Sequence, residues 1–350
     1  MPLPYQLSVL DQSPISEGMT GADALRNTID LAQLCDELGY HRYWLAEHHG
    51  GPMLAGPAPE VLIGPVASAT KRIRVGSGGV MLPHYSPFKV AEAFSVLAGL
   101  FPGRIDLALG RASGTDPLTT FALQRDRTKA MPDDFPQQLA ELLAHLEDDL
   151  PAEHPFAHLP RFLPGRPESP EPWLLGSSPQ SGLWASELGL PYAFADFINP
   201  GGDAIARRYS ADFADGVREP RPRVMVAAWA IAAETDAEAQ RLAASSRMTL
   251  RLLRQGRLIP VPPPEKALRY LESEGGAPTS SLGGPGAERR AIIGAPDRVA
   301  AELEELAVAY GADEVMVVTI THDHAARRRS YELIAEAVGL TDAPQPSRSA

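Results

Sequence analysis

Short blocks of Val, Leu, Ile and Ala alternate along the chain with longer stretches whose apolar residues recur three or four positions apart. The first pattern reads as strands buried on both faces, the second as amphipathic helices. Residues 5–11 (YQLSVLD) open the series as a strand. Residues 22–38 follow with helical spacing at Leu25, Ile29, Leu31, Leu34 and Leu38, and Gly39 stops the helix. Further strands are expected at 42–46, 73–82, 104–110, 172–176, 191–195, 223–233 and 314–320. Helices are expected at 59–69, 87–100, 134–150, 179–188, 202–215, 236–254, 297–310 and 324–338. Eight strands, each followed by a helix, predict an α/β chain folded as a (β/α)8 TIM barrel, one domain over 1–340. A doubly wound sheet is the competing arrangement. It requires a glycine-rich phosphate loop after the first strand, and DQSPISEGMTG lacks that pattern.

Two stretches interrupt the rhythm. Residues 151–171 are rich in proline and join the fourth unit to the fifth strand. Residues 255–292 are rich in Gly, Pro and Ser and form an insertion between strands seven and eight, read as a mobile lid. The tail 341–350 is expected to be disordered. The formal charge of −12 argues against nucleic acid or an anionic membrane as partner. The single cysteine, Cys35, excludes an intramolecular disulfide framework and reads as a small buried filler of its helix. No secretory leader or membrane-length apolar run is legible, so a soluble cytoplasmic protein is expected.

Barrel proteins place their chemistry at the C-terminal strand ends. Those ends carry Asp11, Gln12 and Ser13; Glu47, His48 and His49; His84 and Tyr85; Arg111, Ser113, Thr115 and Asp116; Ser177, Ser178, Gln180 and Ser181; Asp196 and Asn199; Glu234 and Thr235; and Thr321, His322, Asp323 and His324. Five of the nine histidines fall in this set. Ser177-Ser178 before a helix reads either as an anion site or as ordinary capping. Arg111 reads as a countercharge to a phosphate or as a structural ion pair. Gly76, Gly78 and Gly79 within one strand mark a bulge, a tight bend or a close backbone approach to a flat ligand. Glu47, His48 and His49 lack the spacing of a helical zinc motif, and no metal is expected.

The motifs LDQSP, WLAEHH, VGSGGVMLPHYSPFKVAEAF, GRIDLALGRASGTD and LLGSSPQSGLWASELGLP occur in order. Together they resemble the bacterial luciferase-like flavin monooxygenases, in a branch distinct from the light-emitting enzymes. The resemblance implies a barrel that binds reduced FMN and uses O2 to oxygenate a small organic substrate, an aldehyde in the luciferases. It implies His48 as the catalytic histidine, Arg111, Ser177, Ser178 and Ser181 at the flavin phosphate, and a cis peptide at Gly78-Gly79 beneath the flavin ring. Glu47, His49, His84, Asp196 and His322 are then expected around the substrate pocket. A homodimer through the second and third βα units, and a separate flavin reductase, are further implications. The chain departs from the luciferases at Gly176, where they have glutamate, at Gly110, where they have a reactive cysteine, and at Asp196, where they have an aromatic residue. A deazaflavin-dependent dehydrogenase, a non-catalytic flavin-binding protein and a metal-dependent hydrolase are the alternatives on the same barrel.

Overall fold

The computed structural model describes residues 3–111, 116–124, 126–129, 133–157, 159, 163–274 and 291–340. Eight parallel strands form the barrel wall: β1 (Gln6–Asp11), β2 (Arg42–Leu45), β3 (Arg74–Met81), β4 (Ile105–Gly110), β5 (Glu171–Gly176), β6 (Tyr192–Ala195), β7 (Val224–Ala232) and, after a further strand β8 (Ala291–Gly294), β9 (Glu314–Val318). Each pairs with the next, β7 passes to β9, and β9 returns to β1 in the register Gln6↔Glu314 to Val9↔Val317. The wall is therefore closed and leaves no exposed sheet edge.

The strand β8 was not anticipated. Its four residues, AIIG, end a glycine- and proline-rich stretch and are too short to show a period. They are strand because β7 is long: its first residues pair with β6 and its last four, Trp229–Ala232, are free to pair with Ala291–Gly294.

The outer layer comprises α1 (Gly21–Leu38), α2 (Pro59–Ala69), α3 (Pro87–Leu100), α5 (Phe135–Glu147), α6 (Pro179–Leu188), α7 (Asp203–Ala211), α10 (Pro296–Tyr310) and α11 (His324–Ala337), close to the expected spans. Local chemistry sets their ends. Thr20 and Asp23 form a capping box that starts α1, and Gly39 closes it at φ +89°. Cys35 is fully buried in α1, and burial raises its thiol pKa well above the ordinary value.

The stretch read as a lid is largely ordered in its first half. Helix α8 (Asp236–Arg254) is followed by α9 (Pro264–Ser273), and Ala244, Met248 and Leu252 pack on Ala267 to make a hairpin. The connecting residue Val261 donates to the Ile15 carbonyl and accepts from the Glu17 amide, both at 2.8 Å, which fastens the hairpin to the β1–α1 loop. Residues 275–290, the rest of the expected lid, lie outside the described residues, as does the tail 341–350. Short α4 (Pro117–Leu123) was also unanticipated; Asp116 caps it by accepting the amides of Leu118 and Thr119.

The N-terminal end of the barrel is plugged by charge. Arg42 on β2 donates to Asp106 (2.8 Å) and to Glu314 (2.7 Å), and its guanidinium lies 4.7 Å from the Trp173 ring centroid. Asp106 also accepts the Trp44 indole N–H at 2.9 Å and is shared with Arg74, which reaches Glu171 as well. Above this plug the interior is apolar: Leu10, Trp44, Ala108, Trp173, Met225 and Met316 form one buried cluster that continues to Ala46, Phe197, Trp229 and Ile320 at the opposite, C-terminal end.

Candidate active site

At the C-terminal mouth β3 carries two glycines in succession, Gly78 and Gly79. The register with β4 shifts between Gly78 and Val80, the bulge that its glycines imply, and the Gly78-Gly79 peptide is cis. Side chains have no room here. A Cβ on Gly79 would lie 2.6 Å from the Ala108 carbonyl oxygen, and one on Gly78 would lie 2.5 Å from Leu10 Cδ1 and 3.0 Å from Trp44 Cβ.

Beside this strand, β2 ends on Glu47-His48-His49. Glu47 is fully buried. Its Oε2 accepts the Met81 amide at 2.8 Å, and its Oε1 accepts the Tyr85 hydroxyl at 3.0 Å and lies 2.7 Å from His49 Nε2. This carboxylate ties the end of β2 to the turn after β3. His49 stacks edge-on to His84 at 6.0 Å, so both histidines belong to the same clasp.

His48 differs from its neighbours. Its amide donates to the Gly56 carbonyl at 3.0 Å, while its Nδ1 is buried with no hydrogen-bond partner among the described residues. Burial, with a smaller contribution from His49, pushes its pKa down to about 4. A histidine near its ordinary value titrates around neutral pH; this one is a neutral imidazole there.

The third element is the β5–α6 turn. Arg111, at the end of β4, is exposed and its guanidinium sits 5.7 Å from the Trp184 ring of α6. Arg111 thus lies against the middle of α6, where Trp184 also packs on Phe135 of α5. The capping reading of the serines is realised: Ser178 and Ser181 form a capping box, and the Ser181 hydroxyl also lies 2.9 Å from Tyr192 Oη. The Ser177 carbonyl accepts from Asn199 Nδ2 at 2.8 Å. The capping box also explains Gly176. A Cβ there would fall 2.3 Å from Ser181 Oγ, so the space that a glutamate would need is filled by serine. At Gly110 a Cβ would lie 3.1 Å from Leu175, too tight for an added thiol without movement.

The expected place of Asp196 is corrected by strand alternation. Ala193, Ala195 and Phe197 face the barrel interior, so Asp196 faces out. Its Oδ1 accepts the Tyr310 hydroxyl of α10 at 2.7 Å, and the residue is fully buried in the helix–sheet layer rather than on the pocket rim. The aromatic residue that β6 supplies to the mouth is Phe197, packed on Trp229 at 6.0 Å. His322 joins two loops: its carbonyl accepts the Ser16 hydroxyl at 2.5 Å and its Nε2 lies 3.2 Å from the Glu17 carbonyl.

Other strand-end groups serve the scaffold. Asp11 accepts from Ser13, Tyr43 and Arg327. Asp323 and Thr235 cap α11 and α8, and His324 Nε2 lies 2.7 Å from Asp30. Ser113 and Thr115 lie outside the described residues. Among the described residues no three of His, Cys, Asp and Glu converge as a metal site needs.

Sequence reading missed Phe197, Trp229, Leu250 and Val261, which complete the mouth. Only their position in the closed barrel brings them together.

A closed parallel barrel with helices between its strands defines a (β/α)8 protein, a class that carries its binding sites at the C-terminal strand ends. The chain belongs to the luciferase-like monooxygenase family, whose profile matches residues 6–314. It is 39% identical over 333 residues to the N-acetyl-S-alkylcysteine monooxygenase of Bacillus subtilis (strain 168), covering 95% of this chain and 98% of that one. The crystal structure of apo-MsnO8 is 43% identical with a TM-score of 0.86, covering 96% of this chain and 98% of that one. The fold is shared with the oxygenating constituent of 3,6-diketocamphane monooxygenase from Pseudomonas putida, a type II Baeyer–Villiger enzyme solved with FMN. That chain is 21% identical with a TM-score of 0.70, covering 95% of this chain and 98% of that one.

Proposed function

We propose that the protein is an FMN-dependent monooxygenase of small organic substrates. The observation that carries this reading is the Gly78-Gly79 bulge of β3 together with the buried His48 Nδ1 that has no partner among the described residues: neither glycine has room for a side chain of its own, so β3 offers a flat ring only backbone, and the imidazole offers it a hydrogen-bonding atom. Arg111 and the positive end of the α6 dipole are suited to the phosphate, with Ser177, Ser178 and Ser181 shaping that turn.

Reduced FMN, when bound, supplies two electrons, so that one atom of O2 enters the substrate and the other leaves as water. The chain's own residues do the rest. Phe197, Trp229 and Leu250 keep water out of the mouth. His48, neutral at pH 7, holds or relays a proton at Nδ1. Glu47 and His49 hold the turn that carries it. The substrate classes to screen are aldehydes and, from the B. subtilis relative, S-alkylated cysteine derivatives.

Titration with FMN and with a deazaflavin, followed by O2 uptake with reduced FMN, tests the reading. FMN is expected to bind and to support uptake that rises with substrate. Preference for the deazaflavin and hydride transfer without O2 would replace monooxygenase by dehydrogenase. Flavin binding without turnover would leave a binding protein.

The reading includes a cytoplasmic homodimer, with reduced flavin delivered by a separate reductase. No helix among the described residues is long and apolar enough to cross a membrane. Helices α2 and α3 expose Val61 (69%), Val96 (44%) and Leu100 (66%), apolar groups on adjacent helices. Val61→Arg combined with Leu100→Arg is expected to halve the mass measured by light scattering without changing the circular dichroism. An unchanged mass would remove this face from the interface.

A further inference from the structure

Three arginines are buried among the described residues, and two of them are neutralised within the protein. Arg42 has Asp106 and Glu314, and Arg327 has Asp11 at 2.7 Å. Burial alone would lower their pKa values, but the carboxylates carry both above the ordinary arginine value. Arg247 in α8 is also buried, at 7% exposure against 1% and 2% for the other two, yet no carboxylate among the described residues meets it. Its Nη1 reaches only the Gln240 carbonyl at 3.5 Å, its Nη2 the Gln240 side-chain oxygen, and its Nε is buried with no partner. Burial pushes its pKa down and nothing nearby raises it. An enclosed cation without a counterion disfavours the folded state, and such groups are retained where function needs them.

Its position indicates that function. Ala243, Arg247 and Leu250 follow the spacing of one helix face. Ala243 packs on Ile231, Ala233 and Ile293 at the ends of β7 and β8, and Leu250 packs into the mouth cluster with Phe197 and Trp229. Arg247 is therefore seated between the strand ends and the mouth. Elsewhere in the mouth cluster the Trp229 indole N–H is another buried donor without an acceptor among the described residues. The Arg247 Nε–H and its positive charge await an acceptor carrying one negative charge. A carboxylate matches this; a phosphate dianion would bring a second charge that nothing here balances. We infer that Arg247 anchors the carboxylate of an anionic substrate at the α8 side of the mouth. This narrows the substrate class within the monooxygenase reading and rests on that reading only for the fate of the substrate's other end.

Calorimetric titration with hexanoate and with hexanamide, of equal length but uncharged, tests it on both FMN-loaded and flavin-free protein. Hexanoate is expected to bind about 30-fold more tightly, from a charge-assisted bidentate contact. Arg247→Met should abolish the difference and melt at or above the parent temperature, because it removes an unpaired buried charge. Arg247→Lys should keep part of the preference. Equal binding of acid and amide by the parent would overturn the inference. So would a preference that survives in Arg247→Met, or a melting point for that variant more than about 5 °C below the parent, which marks a structural pillar. The flavin-free arm separates the two readings. A carboxylate preference in protein that never binds FMN removes the monooxygenase reading and leaves the anion site standing.

Discussion

His48→Ala protein is expected to bind FMN within a few-fold of the parent and to lose turnover by about 10²-fold or more, the usual contribution of a positioned proton-transfer group. The side chain makes no hydrogen bond through Nδ1 among the described residues, so little of the described scaffold depends on it. The turn that carries it is held by the His48 amide, by Glu47 and by Gly56, all of which remain. Rates of O2 uptake with reduced FMN and a responsive substrate measure the loss; an unchanged rate would remove His48 from the chemistry. The same residue has a stability signature. Its folded-state pKa, about 4, lies below the value of 6.5 for a free imidazole, so the unfolded chain binds the proton more tightly. The contribution of His48 is therefore complete above pH 6.5 and is lost as pH falls toward 4. Urea midpoints at pH 5 and pH 7 should differ less in His48→Asn than in the parent, because the substitution removes that proton. An equal difference would show that the imidazole is not desolvated.

Asp106→Ala is expected to cost about 3–5 kcal/mol, because it removes one of the two carboxylates that compensate a buried arginine and a hydrogen-bond acceptor in the barrel interior. Arg42 would keep only Glu314, and the Trp44 indole N–H would lose its acceptor in the barrel interior. Arg74 would retain Glu171, so the damage concentrates on the fully enclosed side. Asp106→Asn, which preserves shape and one acceptor oxygen, should cost less. Urea unfolding followed by tryptophan fluorescence reads both directly, since Trp44 and Trp173 flank Arg42. A loss below about 1 kcal/mol for Asp106→Ala would mean that the plug is solvated and adds little. The test also locates function: N-terminal strand ends carry stability while the other end carries chemistry, so mildly destabilised variants should keep FMN affinity.

The alternation of short buried blocks with amphipathic stretches determined the barrel without any tertiary information, because strands covered on both faces leave a continuous apolar signature. Glycines at 76, 78 and 79 announced their bulge for a related reason: a backbone that must approach other atoms closely excludes side chains wherever it occurs. WLAEHH likewise marked the mouth, because polar groups that end a buried strand must emerge where the wall stops. What those groups do was decided only by packing. Glu47 became a clasp because Met81 and Tyr85 meet it from β3 and the turn beyond, and His48 became the unpartnered group because nothing does. Phe197, which the sequence did not single out, faces the interior in place of Asp196 because pleat alternation, not proximity in sequence, selects which side chain points inward. Strand β8 and the burial of Arg247 were likewise tertiary outcomes. A four-residue strand exists only against the free length of β7, and an arginine in a helix reveals its missing counterion only once every neighbour has been placed.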